Sequence, residues 1–414
     1  MTARFDGAED GVFARPATPV NVITPLVRLE QYVRARRYAG YDPYDALGSP
    51  TIRSVPSPTV RMALTQLLVY SPVDLRRPLR IAPGTNPKAI ALFISSYCNM
   101  RRCGLMSPET FDEVTTGLVE ELLRSQVSGY HGLCWGIYFD LQDGRSVIEP
   151  SMPSIVPTSF AGHAFLDLYD VTGEHRYLEH ALSCCDFITN DLNILEAGEG
   201  ICFSYRPEDH KAIHNANVMG AALLSRAASQ GGPEEYRGLA ARAFDFSVAH
   251  QEDDGSWAYG IDPQTGRKRF QIDYHQGFIL DSLLDFLLYS RPGNPRYREA
   301  LLKGMAFFRS EQFDPSGRSL WRLPWRWPVD IHHQAQGIAT FSKGWRHDPA
   351  NLPFALTIAD WTIENMLDRD GHFYHHKYPL GANRISYIRW SQAWMMFSLS
   401  QLVRSMGEAV EGDP

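Results

Sequence analysis

The strongest constraint on what this chain can fold into is a repeat. Five apolar helical segments each carry a small residue just inside a polar head: Gly162, Gly220, Gly277, Gly337 and Ala393, separated by 58, 57, 60 and 56 residues. The heads read VPTSFAG, HNANVMG, IDYHQG, IHHQAQG and YIRWSQA. An amphipathic stretch precedes each one: Pro108–Ser125, Arg176–Asn190, Glu235–His250, Pro295–Glu311 and Leu352–Leu367. A short aromatic loop lies between: GLCWGIYFD from 132, GICFSY from 200, DGSWAYG from 254, GRSLWRLPWRW from 317 and DGHFYHHKY from 370. Two helices and a loop fill the period, and neither helix buries its apolar side alone, so the units must stack.

Arg61–Tyr70 reads as the first outer helix and Asn86–Tyr97, apolar almost all round, as the first inner one. About six hairpins result. The expected fold is all-α, an (α/α)6 toroid with short aromatic β-hairpin-like loops on one rim. An open superhelical stack is the alternative, but its last repeat should show a polar outer face. The apolar ending YIRWSQAWMMFSLSQLV suits closure onto the start. Residues 1–55 form an N-terminal extension or collar around a helical stretch at Pro25–Arg37, and 56–410 form the toroid. The turn-rich run GYDPYDALGSP (40–50) either wraps the domain or reaches into its mouth.

A net charge of −7 over 414 residues argues against nucleic-acid binding. The start, MTARFDGAEDGVFARP, has no apolar core of a signal segment, and no apolar run reaches the ~18 residues of a spanning helix. A cytoplasmic chain is expected. The six cysteines follow no disulfide framework and read as reduced thiols; Cys98 and Cys103 lack two further zinc ligands.

Function should lie in what the repeat does not require. Asn215, Asn217, Asp273, Tyr274, His275, His332, His333, Gln334, Arg389 and Trp390 occupy equivalent helix heads. Asn and Asp cap helices, so Asp273 is explained equally by capping and by catalysis. A histidine at a helix N-terminus is different, since the dipole disfavours its cation and leaves a neutral imidazole suited to acid–base work. His333 must point about 100° away from His332, so one of the two is central. The preceding loops add Tyr205, Arg206, His214, Trp257, Trp325, Tyr374, His375, Tyr378 and Arg384. Asp273, Tyr274, His275, His332, Tyr205 and Tyr374 are the catalytic candidates and the others substrate-binding ones. The pairs His332/His333 and His375/His376 lack the i, i+4 spacing of a helical metal site, and neither a phosphate-binding loop nor a G-x-S-x-G elbow occurs. No metal or cofactor is expected.

The repeat and its aromatic rim resemble the six-hairpin carbohydrate-active enzymes. The loop QEDDGSWAYG also resembles the Q-x-x-x-G-x-W rim repeat of terpene cyclases, but their D-x-D-D acid motif is absent. Ile272-Asp273-Tyr274-His275 is similar to the W-D-Y-H segment in the helical domain of D-glucuronyl C5-epimerases, with Ile272 in place of Trp. That resemblance implies chemistry on a uronic-acid-containing polysaccharide or oligosaccharide, by proton abstraction at C5, giving an epimerase or a lyase. A glycoside hydrolase using Asp273, and a non-catalytic glycan-binding or scaffold protein, are the alternatives.

Overall fold

The computed structural model describes residues 21–411 apart from Glu199 and Pro292. The start, expected to lack a signal segment, and the first part of the expected collar lie outside these residues. The helices are α1 (Ile23–Ala35), α2 (Pro50–Arg53), α3 (Pro58–Tyr70), α4 (Pro87–Arg102), α5 (Pro108–Arg124), α6 (Ile155–Thr172), α7 (His175–Asn190) and α8 (His214–Ser229). They continue as α9 (Glu235–Ala249), α10 (His275–Ser290), α11 (Arg296–Gln312), α12 (Ile331–Lys343), α13 (Asn351–Met366) and α14 (Trp394–Glu411). A π-helical turn, Ile388–Ala393, leads into the last of them.

Helices α4, α6, α8, α10, α12 and α14 pack each against the next, and α14 packs back against α4. The ring is therefore closed, as expected, and the fold is an (α/α)6 toroid. The apolar-all-round reading of the first inner helix holds: every residue of α4 from Pro87 to Met100 is buried.

The outer layer corrects the sequence reading at one point. Helices α5, α7, α9, α11 and α13 fall on the expected stretches, but the sixth outer position belongs to α1. This helix packs on α14, and Tyr97 of α4 donates to its Glu30 at 3.0 Å. Leu26, Leu29 and Val33 sit in the main core. Helix α3, which covers Arg61–Tyr70, instead joins a satellite cluster of Ala46, Leu47, Ile52, Leu68 and Ile81. The error has a physical source. Helix α3 carries Val60 and Leu67 exposed, so its apolar content overstates its burial.

Small antiparallel strands decorate one rim: β1 (Leu141–Asp143) with β2 (Ser146–Ile148), and β3 (Ile194–Ala197) with β4 (Gly200–Phe203). Strand β6 (Gly260–Ile261) pairs with β5 (Ala212–Ile213) and β7 (Lys268–Arg269), and β9 (His376–Tyr378) with β8 (Val329–Asp330) and β10 (Gly381–Asn383). Each rim loop is fastened by the head of the following inner helix. The side-chain oxygens of Thr158, Asn217, Gln276, Gln334 and Gln392 accept the backbone N–H of Trp135, Phe203, Trp257, Ser319 and Phe373 at 2.6–3.2 Å. The four amides also donate back to loop carbonyls, those of Ile201, Trp257, Gly317 and Phe373. Burying a backbone pair in this way needs a side chain with both a donor and an acceptor, which an amide supplies.

The loops also sit hard against the outer helices. Gly255, Gly317 and Gly371 have φ of 97°, 89° and 99°, and a Cβ on them would come within 2.5–2.7 Å of the carbonyls of Lys303, Thr357 and Arg28. Those carbonyls lie on α11, α13 and α1, so α1 follows α13 in the ring just as α13 follows α11. The small residues of the repeat serve similar contacts between helices. A Cβ on Gly162, Gly220 or Gly277 would run into Leu223, Ile155 or Gln336 of the neighbouring inner helix, and one on Gly337 into Phe313.

Candidate active site

The N-terminal ends of the inner helices and the rim loops enclose a cavity of about 180 Å³. Lys88 comes from α4, Asn215 from α8, Tyr274 and His275 from the start of α10, His332 from α12, and Arg389 and Trp390 from the π-helical turn. Tyr205 and Tyr259 close it from the loops. Helix N-termini carry partial positive charge, so this mouth is electrostatically suited to an anionic group.

His275 is the side chain best placed for proton transfer. Its Nδ1 lies 2.5 Å from Asp273 Oδ1, which also accepts the His275 backbone N–H at 3.1 Å. The other Asp273 oxygen accepts from Gln271 at 3.0 Å and faces Arg322 at 3.4 Å. Burial alone would raise the Asp273 carboxyl, but the His275 ring and backbone N–H, with His333 adding, outweigh it and hold the carboxyl down at about 2. An ionised Asp273 accepts a hydrogen bond from the His275 Nδ1–H, and this tautomer leaves Nε2 as the basic nitrogen of a cavity-lining ring. Asp273 Oδ1 thus meets both the backbone N–H and the ring of His275 at the start of α10.

Tyr274 stacks between two imidazoles, 4.3 Å from His275 and 4.4 Å from His332. Burial and the charge of Asp273 push its phenol well up, so the hydroxyl stays protonated. His332 is 1% exposed with both nitrogens unpartnered among the described residues. It is packed against Trp390 and Trp394 at 4.6 and 4.8 Å. Burial, reinforced by Lys88 and Arg389, keeps it neutral.

The cavity has two basic side chains. Arg389 is gripped by Asp42 at 2.6 and 2.8 Å. The turn-rich collar therefore does reach the mouth. It is braced from behind by buried Arg76, which bonds Asp45 and the Asp42 and Pro43 carbonyls at 2.9–3.2 Å. Lys88 has no ion pair or hydrogen bond with any described residue. Its ammonium stands 4.4, 5.0 and 4.9 Å from the rings of Phe160, Phe278 and Trp394. Burial pushes its pKa well down, with Arg389 adding to the effect. No Asp or Glu lines the cavity.

The structure thus brings together Tyr205, Asn215, Tyr274, His275, His332, Arg389 and Trp390. It separates the other candidates from the cavity. Asn217 and Gln334 are loop clamps, and Trp257 is buried between helices with its indole N–H on the Ser247 carbonyl at 2.8 Å. His333 points into the Phe308–Phe313 wall, as its offset from His332 requires. His214 stacks on Phe246 at 5.3 Å, and burial pushes it down to about 3. Arg206 pairs with Asp209 and Asp143 at the rim, and Trp325 is 68% exposed at a loop tip. Tyr374 and Arg384 stand together at 5.1 Å beside His372, which lines a different groove with Arg384. His375 and Tyr378 pack with His376 behind the Trp390 wall.

Sequence reasoning missed Lys88, Asp42 and Tyr259. Lys88 had a readable signal. It is the one charge in an otherwise apolar or neutral run, NPKAIALFISSY, at the head of a helix apolar all round. A buried charge without a role is costly.

No protein-family model matches the chain, and no curated protein does. Solved structures do. An unsaturated glucuronyl hydrolase specific for heparin matches with a TM-score of 0.62 at 15% identity, over 95% of this chain and 97% of that one. A family 76 glycoside hydrolase (mannosidase) from Bacteroides thetaiotaomicron matches with 0.64 at 12% identity, over 93% and 100%. A cellobiose 2-epimerase from Bacillus thermoamylovorans matches with 0.62 at 14% identity, over 77% and 87%. These neighbours are carbohydrate-active enzymes built on the (α/α)6 toroid, and the chain shares that fold.

Proposed function

We propose that the chain abstracts a carbon-bound proton next to the carboxylate of a sugar, as at C5 of a uronic acid within an oligosaccharide or polysaccharide. The observation that carries this reading is the His275–Asp273 pair in a cavity lined by two basic side chains, Lys88 and Arg389, and by no carboxylate. His275 Nε2 takes the proton. Lys88, Arg389 and the helix N-termini stabilise the negative charge that moves onto the carboxylate oxygens. Tyr205 and Tyr259 are held protonated chiefly by burial and supply the donor. Return of a proton to the opposite face gives the C5 epimer; departure of the C4 substituent gives the unsaturated product of a lyase. Uronide and epimerase chemistry both figure in the names of the structural neighbours.

The hydrolase reading has less support. It needs two carboxyl groups flanking a glycosidic bond, and Asp273, 2% exposed behind His275, faces no second one across the cavity. A pure binding or scaffold role gives the dyad nothing to do.

Incubation with uronate oligosaccharides in deuterated water should place deuterium at C5, or give the 4,5-unsaturated product. His275→Ala should lower either rate by ~10²-fold or more. Reducing-end release without deuterium incorporation would replace this reading with hydrolysis. Tight binding with neither outcome would leave a binding protein.

A further inference from the structure

Behind the Trp390 wall, two histidines and a carboxylate converge in the dry interior. Asp330 ends β8, His376 opens β9, and the strand register sets the two opposite each other, with His375 next in line. Potential ligand atoms of the three lie within 4.8 Å of one another, and none of the residues is more than 1% exposed. His375 Nδ1 and both nitrogens of His376 are buried without a hydrogen-bond partner, His376 Nε2 stopping 3.7 Å from Asp330 Oδ2. The two imidazoles are stacked face to face at 3.6 Å. Tyr70, Trp321 and Tyr387 surround them with rings, at 5.9, 5.3 and 4.7 Å.

Buried polar nitrogens are normally paired, and three unpaired ones in one cluster ask for a partner that protein atoms do not provide. The repeat offers no explanation either, since the equivalent loops hold no such trio. Asp330 Oδ1 accepts the His332 N–H and the Trp390 indole N–H, each at 2.9 Å, while Oδ2 takes only the longer arm of that indole N–H, at 3.2 Å, and so has the greater spare capacity.

We propose that Asp330, His375 and His376 bind a divalent transition-metal ion of the zinc class. Two imidazoles and one carboxylate are a donor set for such an ion, whereas calcium and magnesium prefer oxygen throughout. Ligation swings the stacked imidazoles apart so that their lone pairs converge, and leaves one position for water. The ion ties the β8 loop to the β9 loop. It also fixes Asp330, and through it the Trp390 indole and the head of α12, where His332 meets the cavity. Its place is structural, one residue removed from substrate, so the proposal stands apart from the C5 reading.

The test uses the full chain, stripped with a chelator and then dialysed against micromolar Zn²⁺ or Co²⁺. The expected result is about one metal per chain by elemental analysis, a raised unfolding midpoint, and a Co²⁺ visible spectrum of four-coordinate type. His376→Gln and Asp330→Asn, in which Asn keeps the helix cap, should each weaken binding by ~100-fold or more. The half-buried trio Asp368, Asp370 and His372 provides the control: His372→Ala should bind as the parent does. The proposal falls if the parent retains almost no metal and its midpoint does not move. It falls equally if binding survives both core variants, or is lost on His372→Ala alone. Should a core variant fail to fold by circular dichroism, the stoichiometry and spectrum of the parent decide.

Discussion

Asp273 and Lys88 show how burial sets the chemistry of single side chains. The folded pKa of Asp273 is depressed to about 2, below its unfolded value of about 3.9, so its contribution to stability is complete above the unfolded value and is lost as pH falls toward 2. The parent should therefore lose about 2 kcal/mol more than Asp273→Asn between roughly pH 5 and 2, read from denaturant midpoints. At neutral pH the same variant keeps a capping side chain but fixes the wrong His275 tautomer. Deuterium exchange should fall by ~10²-fold or more while the far-UV spectrum is unchanged. Lys88 has the opposite sign: burial among three rings favours the neutral amine in the empty cavity, and a bound carboxylate favours the ammonium. Uronate binding should draw a proton from buffer. Calorimetric heats should then vary with buffer ionisation enthalpy, and Lys88→Met should abolish the variation.

The loop clamp is the unit that repeats at the scale of elements. Gln276→Ala leaves both the N–H and the carbonyl of buried Trp257 without a partner and should cost about 2–4 kcal/mol in equilibrium unfolding. If the cost is under half a kcal/mol, the amides are not what holds the loops. The clamp also explains which parts of the site could be read in advance. The polar heads were visible in the sequence, and Tyr274, His275, His332 and Arg389 do face one cavity. Asn217 and Gln334 looked the same at that level, because an amide at a helix head is compatible both with sugar binding and with fastening a backbone. Only the position of the preceding loop separates the two. Rim aromatics misled for a related reason: Trp257 marks the loop that is fastened, not a sugar platform. Asp42 lay beyond reach, since nothing local ties residue 42 to residue 389.

At the scale of the whole molecule the period gave the toroid, and the closed ring of α4 through α14 bears it out. The seam was misassigned because α1 is separated from α4 by the satellite cluster, which breaks the spacing seen everywhere else. The correction predicts a contrast. Leu26→Ala, fully buried in α1, should destabilise the chain by about 2–5 kcal/mol, while Leu67→Ala, 62% exposed on α3, should stay within about 0.5 kcal/mol by chemical denaturation. Equal effects would return α3 to the ring. Cys98, Cys134, Cys184, Cys185 and Cys202 are buried thiols. Among the described residues no helix is long and apolar enough to cross a membrane.

The placement of α1 has a consequence for how the molecule comes into being. Its partners on either side of the seam are α4 and α14, the latter more than 350 residues downstream. During synthesis α1 leaves the ribosome early and then waits, its Leu26–Leu29–Val33 stripe half covered, until the last helix of the chain arrives. Completion of the ring thus waits for α14, and a nascent chain halted before Trp394 lacks one of the three rings that surround Lys88. The ring packing around Lys88 is complete only when α4 and α14 have come together.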